Sequence, residues 1–325
     1  MTQRKGLSFL DFATHQAFFA TLLLGWPVLA WADLNIVLKN DFIEKYKGRA
    51  TMTAQFTVDA MSAVHPPSQD ADIHIAGHSD DVSLPMVAEI MNAKGEPAAL
   101  KAVNAAKSSG APVSVTGAWR IWCEHGGIDD QVQGAPVTVS NSNPPHVFQI
   151  HPVSNFDGHS VLRSLHPIQG YAPKKPHDAF MAYEGISSVI TPGADTTTIR
   201  TVTAGYNYVK FVMELTEDPT HETENGDGRS AFARVYDTDC ELLLQNRRMI
   251  FVKDTTPEKK VKTLHKGDQL LVLGLPRLDL SLVSFRTHCA QDAECKSKHP
   301  DVLQWSLPYE MIIAGVYGPA SCPAP

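Results

Sequence analysis

Apolar and β-branched residues recur at every second position in short runs along this chain, and Gly, Pro, Asn and Asp bound the runs. A two-residue period over such lengths marks half-buried β-strands. Strands are expected on this basis at residues 51–60, 72–76 and 85–90. An Ala-rich stretch over 98–107, opened by Pro97 and stopped at Ser108-Ser109-Gly110, predicts a helix. Two more strands are expected at 112–125 and 146–153, joined by a long polar loop. Strand, strand, strand, helix, strand, strand is the order of an OB-fold, a five-stranded Greek-key barrel.

The second half repeats that order. Strands are expected at 206–215, 231–237, 248–254, 270–282 and 307–317, with the lysine-rich stretch 257–265 in the helix slot. Gly110-Ala-Pro-Val-Ser-Val-Thr-Gly117 and Gly267-Asp-Gln-Leu-Leu-Val-Leu-Gly274 both read Gly-x-x-apolar-x-Val-x-Gly, each after a candidate helix. Such a match indicates an internal repeat, and a Gly inside a strand suits a sharp barrel bend. The pattern therefore predicts a mainly β chain with two OB-like five-stranded β-barrels in tandem, each with a short helix before strand 4. The first barrel is expected over 33–155 and the second over 200–318, with a Pro- and Gly-rich linker at 156–199 and a tail at 319–325.

The first 32 residues change the picture of where the chain acts. Arg4 and Lys5 precede an apolar run at 17–29, and Ala30-Trp31-Ala32 offers a small-x-small cleavage site. This is the layout of a secretory signal peptide, with Asp33 as the expected first mature residue. The run of about 13 residues is shorter than the roughly 20 that a membrane-spanning helix needs. The mature chain is therefore expected to be periplasmic or secreted and not membrane-spanning. The formal net charge is −7, and basic pairs occur only as Arg247-Arg248, Lys259-Lys260 and the like. Nucleic-acid binders present a basic stripe to phosphates, so acidity and export argue against that partner. There are five cysteines, and export permits disulfides. Cys289 and Cys295 flank a short loop that they could close, while Cys123, set among apolar strand residues, suits a buried structural thiol.

Candidate chemistry concentrates in the first half, where nine of the histidines fall between His65 and His177. His74, His78, Glu89, Glu124, His125 and His151 all lie on or beside expected strands of one small barrel. Imidazole with carboxylate is a donor set that zinc favours, and His74, Glu124 and His151 are the candidate metal ligands. No His-Glu-x-x-His spacing is present, and the same groups also suit a buried hydrogen-bonded network, Asp72 with His74 and Gln149 with His151. By strand period Arg120, Trp122 and Glu124 share one face, and Trp119, Ile121 and Cys123 the other. An aromatic ring beside a charged pair suits a sugar or peptide. That makes Arg120, Trp122, Glu124, His125 and His151 candidate binding residues; alternatively this face packs against a neighbouring domain. Nucleophile-elbow, phosphate-loop and dinucleotide motifs are absent from the sequence.

Residues 70–153 also resemble small exported bacterial OB-like barrel proteins. The match rests on Asp72-Ile-His-Ile75, Val87-Ala-Glu89, Val115-Thr-Gly117 and Phe148-Gln-Ile-His-Pro-Val153, with Phe148-Gln149 standing where the family pattern has Trp-Glu. The resemblance implies the barrel and no particular activity. The expectation is an exported, non-catalytic binding module for an envelope protein or a glycan, with no cofactor. The alternative is a metal-dependent hydrolase, using a divalent ion such as zinc, with a His/Glu site in the first barrel.

Overall fold

The computed structural model describes residues 33–203 and 205–323. The expected signal peptide lies outside the described residues. The described chain starts with β1 (Asp33–Lys39) and α1 (Asn40–Tyr46). β1 is a strict alternation that buries Leu34, Ile36 and Leu38. β2 (Thr51–Met61), β3 (Ile73–His78), β4 (Met86–Ile90), α2 (Pro97–Ser109) and β5 (Val113–Ile121) follow. After the two-residue β6 (Gln131–Val132) come β7 (Phe148–Phe156) and β8 (His159–Ser160).

These strands close a barrel in the order β4-β3-β2-β5-β7, and β7 returns to β4 as a parallel pair. The other pairings of the ring are antiparallel. That is the OB arrangement, with the helix between strands three and four. α2 starts at Pro97, ends at Gly110 with φ of 65°, and buries Ala99, Ala102, Val103 and Ala106 as one stripe. Inward-facing Ile73, Ile75, Ala88, Ile90, Val115, Phe148 and Ile150 fill the barrel.

The chain then forms α3 (Pro176–Gly185), β9 (Val189–Pro192) and β10 (Thr196–Val202). β10 pairs with β1 along the whole of β1, in a sheet ordered β6-β1-β10-β9. The stretch 156–199 thus holds a helix and strands where a loop-like linker was expected. Its prolines and glycines masked the β-branched run Thr196-Thr-Thr-Ile-Arg-Thr-Val202, which has the right composition for a strand.

The second barrel comprises β11 (Val209–Leu215), β12 (His221–Glu222), β13 (Gly228–Tyr236), β14 (Leu242–Val252), α4 (Thr256–Val261) and β15 (Gln269–Leu278). α5 (Leu280–Gln291), α6 (Ala293–Lys298) and β16 (Tyr309–Pro319) complete it. Its ring is closed by β11–β13 and contains the equivalent parallel pair β14–β16. Strand 270–282 of the sequence reading ends early, at Leu278, because the Asp279 side chain accepts from Leu282 N at 2.9 Å and caps α5. Gly117 and Gly274 each sit at a register shift of strand four. A Cβ would strike the Pro152 carbonyl at the first and the Phe211 ring at the second.

The two barrels meet through equivalent arginines, and both belong to one compact unit. Arg120 on β5 donates from Nε to the Pro276 carbonyl at 2.9 Å, while Arg277 on β15 donates from Nη1 to the Trp119 carbonyl at 3.1 Å. Arg277 also reaches the Ala50 and Arg49 carbonyls and Glu310 Oε1, and lies 3.6 Å from the centre of the Trp119 ring. Disulfides join Cys289 to Cys295 and Cys240 to Cys322. Cys123 is buried in the core. No helix among the described residues is long and apolar enough to cross a membrane.

Candidate functional sites on two equivalent barrel faces

Matching the two barrels strand by strand locates both candidate sites. Arg120 pairs with Gln149 as Arg277 pairs with Glu310, and His74 pairs with Glu89 as Ser230 pairs with Ile250. The parallel pairs agree, Ala88 facing Ile150 as Met249 faces Met311. His151 therefore corresponds to Ile312. The outer faces of strands two and three, with the loops after strands one and four, are where OB barrels take ligands.

On the first barrel this face carries a buried polar cluster. The Tyr208 hydroxyl donates to Asp72 Oδ2 at 2.7 Å and so accepts from His151 Nε2, also at 2.7 Å. His151 Nδ1 and His74 Nε2 each lie 3.4 Å from Glu89 Oε2. Glu89 Oε1 accepts from Gln149 Nε2 at 2.5 Å, and Gln149 Oε1 accepts from Arg120. His146 donates from Nδ1 to the Pro144 carbonyl at 2.6 Å, which leaves Nε2 to accept from Gln149 at 3.2 Å. Outside this cluster, His65 Nδ1 meets Asp70 Oδ1 at 2.8 Å, and the His65 ring packs edge-on to His74.

Burial sets the protonation of these groups. It pushes the Asp72 carboxyl well above the usual carboxylate range, and Glu89 up to about 7. It holds the His151 imidazole well below its ordinary value and lowers His146 to about 3. His74 is lowered to about 4 by burial and then by the neighbouring His65.

His74 and His151 thus come together, but the carboxylate between them is Glu89, not Glu124. The strand period that put Glu124 on one face with Arg120 and Trp122 breaks at Ile121, where β5 ends and residues 123–125 turn as a 3₁₀ helix. Glu124 instead accepts from Arg120 Nη2 at 3.3 Å and lies 3.9 Å from His125 Nε2. His125 is half-buried and stacks on His146 at 5.1 Å. Arg120 and Trp122 are buried, the indole edge-on to Tyr183 of α3 and Tyr309 of β16. These two side chains meet the second barrel and offer no open platform. Tyr208, which closes the cluster, gave no sequence signal because its partners are far away along the chain, Asp72 by 136 positions and His151 of β7 by 57.

On the second barrel the equivalent face is an open groove of about 770 Å³. Ser230 and Phe232 of β13 and Arg248 of β14 form its floor. The 216–227 loop contributes Glu217, His221, Glu222 and Glu224, and α5 contributes Ser281, Ser284, Phe285 and His288, with Lys47 at the rim. Phe232 is 39% exposed and Phe285 48%. Four carboxylates, those of Glu217, Glu222, Glu224 and Asp279, line it against the two cations Lys47 and Arg248.

No family model matches the chain, and no curated protein sequence matches it. Among solved structures, the wild-type single-stranded DNA binding protein from Thermus aquaticus is similar over 85% of this chain and 94% of its own. Its identity to this chain is 10% and the TM-score is 0.23. The OB-like architecture rests on the strand order of the two barrels themselves.

Proposed function

We propose that the chain is an exported, non-catalytic binding module that holds a glycan of the cell envelope in the groove of the second barrel. The observation that carries this reading is the pair of exposed phenyl rings, Phe232 and Phe285, in an open groove on the ligand face of an OB-like barrel. Phenyl faces pack on the apolar faces of sugar rings, and the surrounding carboxylates and hydroxyls can bond sugar hydroxyls. Four carboxylates against two cations oppose a phosphate backbone. The signal-peptide layout of residues 1–32 and the two disulfides fit an oxidising compartment outside the cytosol.

Calorimetric titration of the chain from Asp33 onward, with a neutral chito-oligosaccharide, a lysine-rich peptide and a single-stranded oligonucleotide, tests this. Saturable binding of the sugar is expected, with the sugar recovered intact. Phe232→Ala/Phe285→Ala should weaken it by about tenfold or more, roughly 1.4 kcal/mol. Oligonucleotide binding or sugar hydrolysis would overturn the reading. A peptide that binds where the sugar does not would reassign the ligand to an envelope protein.

A further inference from the structure

Three side chains of the first barrel converge with one atom each lacking a hydrogen-bond partner among the described residues. The atoms are Asp72 Oδ1, Glu89 Oε2 and His151 Nδ1. All three residues are fully or almost fully buried, and each can place a ligand atom within 4.8 Å of those of the other two. The remaining atom of each is already fixed, Asp72 Oδ2 and His151 Nε2 by the Tyr208 hydroxyl and Glu89 Oε1 by Gln149. One atom of each side chain held by a hydrogen bond and another left with a lone pair is the division of labour found around bound metals. Buried carboxyl oxygens and an imidazole nitrogen left without a hydrogen bond are otherwise expensive. The nearby guanidinium of Arg120 is engaged by Gln149, Glu124 and the Pro276 carbonyl.

The second barrel supplies an internal control. Ile250 and Ile312 stand where the first barrel has Glu89 and His151, and both are buried. The fold itself therefore has no need of ionisable groups at these positions.

We propose that Asp72, Glu89 and His151 bind one divalent transition-metal ion through one donor atom of each side chain, zinc being the ion that suits one imidazole and two carboxylates. Two carboxylates balance the charge of the ion. The site is closed to solvent, so the ion is taken up as the barrels fold and its role is structural. This is independent of the groove on the second barrel.

The test uses the full chain from Asp33, unfolded with chelator and refolded with Zn²⁺, with Mn²⁺ or with neither. The expected result is one equivalent of metal retained after dialysis, a raised Tm relative to the metal-free refold, and a ligand-field absorption spectrum on Co²⁺ substitution. Glu89→Gln should abolish all three. Glu89→Ile/His151→Ile copies the second barrel, and it should fold by circular dichroism yet retain no metal. His65→Ala should leave the stoichiometry unchanged, because His65 belongs to the outer group with Asp70. Wild type that retains no ion under any condition overturns the proposal. Metal retained by the isoleucine double variant, or lost in His65→Ala, overturns it equally. If the double variant does not fold, the Co²⁺ spectrum of Glu89→Gln decides alone.

Discussion

Arg277 and Glu310 show how a single pair can fasten two barrels. The guanidinium is fully buried, stacked on Trp119 and bonded to three carbonyls of the first barrel, and Glu310 is its charge partner at 2.7 Å. Burial still pushes Glu310 up to about 6, against a pull down from Arg277 and Arg248 and a push up from Asp279. A carboxyl whose folded pKa is raised holds a proton that the unfolded chain releases. Its contribution to stability is present below pH 4.5 and lost as pH rises through about 6. Denaturant unfolding of wild type and Glu310→Gln across that window should show wild type losing stability relative to the variant as pH rises. A difference that stays constant with pH would contradict this. At the same scale, His74 and His151 were legible as partners because each sits on a strand that reads clearly. Glu124 falls in the turn beyond β5 and not on the strand, because a period says nothing about where a strand stops.

Elements ruled by local pattern were the most readable. α2 is bounded by Pro97 and Gly110 as expected, and the two Gly-x-x-apolar-x-Val-x-Gly runs are strand four of each barrel. β1 and β10 were missed although both alternate, since their sheet forms between segments far apart in sequence. The disulfides divide the same way. Cys289 and Cys295 are 6 apart and could be paired from the sequence, whereas Cys240 and Cys322 are 82 apart and could not. Loop-closure entropy gives the long bridge about 4.5 kcal/mol and the short one about 2.2 kcal/mol for separations of 82 and 6. Cys240→Ser/Cys322→Ser should therefore lower the unfolding free energy more than Cys289→Ser/Cys295→Ser. The reverse order in urea titrations would show that the tie after β16 does not restrain the unfolded chain as supposed.

For the whole molecule, the repeat explains both sites. One architecture appears twice, and the same outer face is closed over a His and carboxylate cluster in the first copy and open as an aromatic groove in the second. The tandem barrels could be read from strand order, but the groove could not, because its walls come from the 216–227 loop and from α5, whose first residues were read as the end of a strand and whose remainder was not expected as a helix. Binding in that groove is the central claim, and amide hydrogen exchange with and without saturating chito-oligosaccharide tests it most directly. Protection is expected in β13, β14, the 216–227 loop and α5, with β3, β4 and β7 unchanged. Protection confined to the first barrel, or none at saturating sugar, would contradict it.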